Sequence, residues 1–335
     1  NTFEHPELDS DEFIQNPIDI IYDLVRKEIG HDAIDEEEYL EAKAAHQWES
    51  WGIIADWKFG FTVNKQINSK KLIEDIAKST KSFPKFKNDG TFGFSTIKDE
   101  YSSTDVGGEI SDYNKARLIK ESEVISYSFK KTKPEDIVTK VDVQYHKDYA
   151  QDSLSKRTEP PIKDDAYITF FNDAFGTDFS SGDYYDIESP DDASLEFKSD
   201  YIRSSQTANK LASYLWWQYK NQHLIFNLKL PLQYIDLEIG DLIKFRELLG
   251  DVKAYGVDYR RISLKNFQYC YPLFMITSTT KNLDSVSIEC MQLHQLTNGT
   301  LDFSTSITGW FESNAEGDLF YFPDADPIVI PDIYV

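Results

Sequence analysis

The sequence predicts an α+β protein, in which a helix-bearing α/β module precedes a β-rich module. Three observations predict it. Apolar residues recur at helical spacing in stretches before residue 80 and again near residue 210. Period-two alternation bounded by turn residues dominates from Val124 onward. Aromatic residues make up 14% of the chain, with 20 Tyr and 22 Phe, and aromatics favour strands.

Residues 1–15 are acidic and poor in apolar side chains. They read as a linker or the end of a domain lying upstream. The first residue is Asn, so the chain is expected to be a fragment or a processed product. "NPIDIIYDLVRKEIG", Asn16 to Gly30, reads as a helix. Asn16 caps it, Pro17 suits its first turn and Gly30 stops it. Ile20, Ile21, Leu24 and Val25 form its apolar stripe. Asp35 to Trp48 reads as a second helix with Tyr39, Leu40, Ala44 and Ala45 inward. Trp57 to Val63 alternates as a strand. Asn68 or Ser69 caps a third helix with Leu72, Ile73 and Ile76 inward. Asn88-Asp89-Gly90 then marks a hairpin. Residues 16–123 therefore read as one α/β module.

Residues 124–300 read as the β-rich module. Strands are predicted at Val124–Lys130 and Val138–Tyr145, joined by a Pro-bearing turn. Further strands are predicted at Leu224–Leu230, Tyr234–Glu238, Leu242–Phe245, Tyr269–Thr277 and Val286–Leu293. A helix is predicted over Thr207–Gln222. Gly240-Asp241 is turn chemistry between two strands. Residues 148–199 form a long loop rich in Asp, Ser and Gly, of the functional or mobile kind. Residues 246–268 form a second polar loop. The prolines of residues 301–335 predict an extended segment laid on a partner. No internal repeat is present.

Composition narrows the function. The formal net charge is -23, with 35 Lys and Arg against 58 Asp and Glu. A general nucleic-acid binder needs clustered cations, so the charge balance argues strongly against that class. No stretch approaches the ~20 apolar residues of a membrane span, and no membrane anchoring is expected. Cys270 and Cys290 are too few for a disulfide framework and read as buried free thiols, with Cys290 facing the region of Met275.

No catalytic, cofactor-binding or metal-binding residue is predicted. His31, Asp32, Asp35 and Glu36, with His46 and Glu49 beyond them, lack zinc spacing and read as a solvated helix face. Asp173, Asp178 and Asp183 lie near glycines but fail the calcium-loop spacing. No G-x-S-x-G is present, and Gly107-Gly108 is not followed by Gly-Lys-Ser/Thr. Two alternatives to a structural protein stand. One is a cell-wall-degrading hydrolase with paired carboxylates, which spacing alone does not single out. The other is a glycan- or receptor-binding module using Trp216-Trp217, Trp48 and Trp51, or Tyr184-Tyr185. The plainer reading of those aromatics is core or interface.

Three stretches carry a family resemblance. "NPIDIIYDLVRKEIG" resembles the Asn-Pro helix that opens an inner domain in tail-tip and baseplate hub proteins of long-tailed bacteriophages. "INSKKLIEDIAKSTKSFPKFKNDGTFGFS" resembles their next unit, a helix closing on a short hairpin. "YIRSSQTANKLASYLWWQYKNQHLIFNLKLPLQYIDLEIGDLIKF" is similar to their closing unit, a Thr-Ala-x-x-Leu-Ala helix, a strand and a Leu-x-x-Gly-Asp turn. The residues that carry it, as structural positions, are Asn16, Pro17, Thr207, Ala208, Leu211, Leu237, Gly240 and Asp241. The resemblance spans roughly Asn16 to His294.

The resemblance implies a β-barrel-like module related to tail-tube subunits, plus an inserted α/β module. It implies a non-enzymatic virion protein that is made in the host cytoplasm and built into the tail tip. The expected role is to join the tail tube to distal parts during host attachment and DNA ejection. The implied partners are two further copies in a homotrimer, tail-tube or distal tail proteins, the tape-measure protein and a spike or receptor-binding protein. DNA is met only in transit. The family carries the tube-like module twice per chain. This sequence lacks an obvious first copy, which is expected upstream or absent in a shortened variant.

Overall fold

The computed structural model describes residues 13–50, 53–63, 65–101, 112–133, 136–138, 140–158, 162–163, 194–245, 255, 263–265, 268–296, 309–313 and 319–323. In chain order the elements begin with α1 (Pro17–Leu24), α2 (Glu36–Ala45), β1 (Gln47–Ser50), β2 (Ile53–Asp56), α3 (Ser69–Ala77), β3 (Ser82–Phe86) and β4 (Phe92–Thr96). Next come α4 (Asp112–Lys115), β5 (Arg117–Ile119), β6 (Ser126–Lys131), β7 (Lys140–Asp148), β8 (Ser153–Arg157), β9 (Ile162–Lys163) and β10 (Ser194–Lys198). Last are α5 (Ser205–Tyr219), β11 (Leu224–Leu230), β12 (Leu242–Phe245), β13 (Ser263–Lys265), β14 (Gln268–Lys281), β15 (Val286–His294), β16 (Gly309–Ser313) and β17 (Leu319–Pro323). The class is α+β. The elements fall into two units interleaved in sequence. One comprises residues 1–97, 142–160 and 196–212; the other comprises 98–141, 161–195 and 213–335.

In the first unit, Asn16 caps α1 and Pro17 occupies its first turn. Ile18, Ile21 and Val25 are fully buried. A π-helical turn, Val25–Ile29, ends at Gly30 with φ +75°. Asp35 caps α2, and Asn68 caps α3 by accepting the Lys71 N–H at 3.2 Å. Leu72, Ile73 and Ile76 of α3 are buried. The face that α2 buries is Tyr39, Ala42 and, just past its end, His46. Leu40 and Ala44, both expected inward, are exposed, Leu40 to 49%. The helix expected to reach Trp48 ends at Ala45, where β1 follows. Positions 39, 42 and 46 share one helical face, and the packing of Tyr39 on Tyr22 selects that face. β3 and β4 form the expected hairpin, with Gly90 at φ +85°. The strand predicted over Trp57–Val63 does not form. Phe59 makes a single bridge to Ile202, while β1 and β2 form a hairpin just before it.

In the second unit, nine described strands form one sheet. β14 is its long spine. It pairs with β15 along one edge and with β13 and β12 along the other. The path β5-β12-β14-β15-β11-β6 places β5 and β6 at opposite ends, yet residues 120–125 join them in sequence. Phe226 on β11 and Phe245 on β12 have ring centroids 5.1 Å apart. In a flat sheet three strand steps would separate them by about 14 Å. The sheet is therefore rolled about its apolar face. Among the described residues it does not close, because β5 and β6 are not paired. Leu224, Phe226, Leu228, Ile243, Phe274, Ile288 and Cys290 fill the interior.

Further expectations are corrected. Tyr234–Glu238 is not a strand: a 3-10 turn, Leu232–Tyr234, buries Tyr234 and Leu237 instead. β6 and β7 do not form a hairpin. β6 pairs with β11, and β7 pairs with β8 and β9. The stretch 148–199 holds β8, β9 and β10, while residues 164–193 lie outside the described residues. In the C-terminal stretch, β16 and β17 form a hairpin that joins the sheet through β13. Residues 324–335 lie outside the described residues.

Candidate functional site

Asn16 joins α1 to the β1–β2 hairpin. Its Oδ1 accepts the Ile18 N–H at 3.0 Å, and its Nδ2 donates to Asp56 Oδ1 at 3.2 Å. Gln47 donates to the same Asp56 oxygen at 2.8 Å. Pro17 is buried beside it. Thr207, Ala208 and Leu211 form the fully buried face of the first half of α5. The Lys58 N–H donates to Thr207 Oγ1 at 2.8 Å, and the Gly60 N–H donates to the Tyr201 carbonyl at 2.9 Å.

Leu237, Gly240 and Asp241 meet in the other unit. The Asp241 N–H donates to the Glu238 carbonyl at 3.3 Å, closing a four-residue turn. Gly240 is its third residue, at φ +92°, the left-handed conformation that a type II turn needs there. Asp241 Oδ2 accepts the Glu238 N–H at 2.9 Å. The turn then clamps β14: the Gly240 N–H donates to the Ile276 carbonyl at 2.8 Å, and the Ile276 N–H donates to the Asp241 carbonyl at 3.0 Å. Leu237, 3% exposed, anchors it in the rolled sheet. These eight residues thus fall into two groups, one in each unit, and each of them caps, clamps or packs.

The acidic candidates come apart into ordinary structural contacts. Asp35 accepts the Glu38 N–H at 3.0 Å, and the ammonium of Lys87 lies 2.5 Å from its other oxygen. Burial pushes the Asp35 carboxyl up, but the backbone N–H and Lys87 outweigh it and hold it below the usual range. His31 stands edge-on to Phe86, and Asp32 lies 3.8 Å from Arg26. His46 is fully buried. Its Nδ1 donates to the Ala42 carbonyl at 2.7 Å and its Nε2 accepts the Lys81 N–H at 2.9 Å. Among the described residues no group of three His, Cys, Asp or Glu side chains is gathered to hold a metal ion. Asp173, Asp178 and Asp183 lie outside the described residues, as do Trp51, Tyr184 and Tyr185.

Trp216 and Trp217 are each 8% exposed and stack edge to face at 4.8 Å. The Lys220 ammonium sits 4.5 and 4.6 Å from their ring centroids. A sugar platform needs an open ring face, so this pair packs the interior instead. Around it lies a buried polar network that sequence reasoning missed. Asn221 donates to Gln268 Oε1 at 2.6 Å, and Gln268 Nε2 lies 2.6 Å from the carbonyls of both Trp217 and Gln295. Gln292 donates to the Tyr271 carbonyl at 3.1 Å. The available signal was Gln268, Gln292 and His294, polar residues at buried positions of apolar strands. Cys270 and Cys290 are buried free thiols, and burial pushes the Cys290 thiol up.

No family model matches the chain, and no curated protein matches it. Solved structures do. A 43 kDa tail protein of prophage MuSo2 from Shewanella oneidensis is 11% identical, over 83% of this chain and 66% of that one, with a TM-score of 0.39. A tail protein from Neisseria meningitidis MC58 is 9% identical, over 83% of this chain and 66% of that one, with a TM-score of 0.41. A chain in the virion of a native gene transfer agent particle is 8% identical, over 67% of this chain and 39% of that one, with a TM-score of 0.40. This chain spans just under two thirds of the length of the two tail proteins and less of the third.

Proposed function

We propose that this chain is a structural protein of a phage tail, set at the tail tip or baseplate hub. There it joins the tail tube to distal tip or receptor-binding parts and forms part of the DNA passage. The observation that supports this reading is the role of the residues that carry the sequence resemblance. Thr207, Ala208 and Leu211 are buried packing, and Leu237, Gly240 and Asp241 form a turn that clamps Ile276. A hub subunit passes load between neighbours, and stiff clamped elements of this kind serve that role. In this reading the rolled sheet is the tube-like module, with β5 as its first strand, and the chain works as a homotrimer.

The charge fits. At -23 the chain offers DNA few sticking points, and like charge costs little where salt screens over about 8 Å. The test is structure determination of the assembled tail tip, with light scattering on the purified chain plus tube protein. The expected result is three copies ringing an acidic lumen. A single copy on the outside of the tail, or a basic lumen lined by this chain, overturns the reading.

A further inference from the structure

Two buried imidazoles face each other in the second unit. His223, between α5 and β11, and His294, the last residue of β15, stack with centroids 4.0 Å apart and planes at 18°. They are 4% and 2% exposed. Both ring nitrogens of His223 meet main-chain carbonyls: Nδ1 lies 2.9 Å from the Gln292 oxygen and Nε2 lies 2.6 Å from the Gln218 oxygen. A carbonyl only accepts. A neutral imidazole carries one N–H and serves one of the two oxygens, whereas an imidazolium serves both. Burial opposes that cation and outweighs the carbonyls, holding His223 below the usual histidine range.

We propose that the His223–His294 stack is an acid-sensitive latch. Closed with at most one proton, it ties the end of α5 to β11 and β15; a second proton opens it. Two imidazolium rings at 4.0 Å would repel each other in a site with little water.

Among the described residues, titratable and charged groups come from each neighbouring element, including Tyr269 on β14, whose carbonyl accepts the Gln295 N–H at 2.8 Å. On the α5 side is Lys220, 3% exposed, over the two Trp rings. On β14 are Cys270, in register with His294, and Tyr271, whose carbonyl accepts from Gln292. On β6 is Lys131, in register with Leu224. Preceding α4 are Asp99, whose carbonyl accepts the Leu296 N–H, and Glu100, which accepts from Gln295 at 3.2 Å. Among the described residues neither nitrogen of His223 meets a carboxylate, so no described anion in direct contact offsets added charge there. Opening takes up protons, so it is favoured as the pH falls below about 6.5, the ordinary histidine value.

The test is amide hydrogen exchange of the full chain between pH 7.5 and 5, corrected for intrinsic rates, on the wild type and His294→Phe. In the wild type, segments 214–230 and 286–296 should lose protection on the order of tenfold as the pH falls. His294→Phe keeps a flat ring and removes one titrating group. It should weaken that loss, leaving only the proton that buried His223 takes up by itself, and should leave any acid response around His46 in place. An unchanged response of both segments in His294→Phe overturns the latch. Carbon-13 histidine NMR of the wild type decides the matter without a variant. Coupled titration, with the second step displaced to lower pH, supports the latch. Independent titration of both rings near the ordinary histidine value overturns it.

Discussion

The rings of Phe226 and Phe245 lie 5.1 Å apart although two other strands, β14 and β15, separate their own in the sheet. That closeness requires the sheet to roll, and rolling gives one apolar face an interior. Phe245 also packs on Phe274 at 5.0 Å, and Phe226 packs on Phe274 at 5.4 Å. Phe245→Ala should therefore leave a cavity at the centre of the roll. The expected loss is about 3–5 kcal/mol, the usual range for a buried Phe. Urea unfolding followed by circular dichroism measures it, and a loss below about 1 kcal/mol would show that the ring is not a central contact.

Gly240 sits at φ +92° with its N–H bonded to Ile276. A β-branched residue there is strained by its backbone. Gly240→Val should lower stability by roughly 1–3 kcal/mol. An unchanged melting temperature would contradict the turn geometry.

His46 is held neutral. Burial is the main cause, opposed by the Ala42 carbonyl and assisted by Lys81, and it brings the pKa down to about 3. Protonation would also set a second N–H against the Lys81 N–H. In the unfolded chain the group titrates near 6.5, so between about pH 6.5 and 3 the unfolded state binds more protons. This part of the stability is fully present above the unfolded value and is lost as the pH falls towards 3. His46→Gln should be less stable at pH 7 and show a shallower decline on acidification. Denaturant midpoints across that pH range provide the measurement; parallel profiles for the two proteins would refute the assignment.

The thiols of Cys270 and Cys290 are 4% and 0% exposed. Neither should react with a thiol reagent in the native protein at pH 8, and both should react in denaturant. Rapid labelling of the native chain would place at least one of them at the surface.

Local chemistry made several elements legible in the sequence. Asn16 and Asn68 each offer a side-chain oxygen to an N–H two or three residues on, and Gly90 and Gly240 supply positive φ. Leu224–Leu230 and Leu242–Phe245 run over the residues that alternation marked. The misreadings have tertiary causes. Tyr234–Glu238 alternates like a strand, but Tyr234 and Leu237 are drawn into the roll, and the Tyr234 hydroxyl bonds to Glu123. The acidic stretch 31–36 reads as a solvated helix face, yet Asp35 within it is partly covered and paired with Lys87, distant in sequence.

The sequence by itself determined where helices start, where turns fall and which strand face is apolar. Those choices rest on bonds and torsions within a few residues. Only the tertiary structure decided that β6 pairs with β11 rather than β7, that α2 buries Tyr39 and Ala42 rather than Leu40, and that His223 stacks on His294. Strand partners, buried helix faces and polar contacts between distant residues are selected by how the whole chain removes apolar surface from water. Period and composition do not encode that selection at any one position.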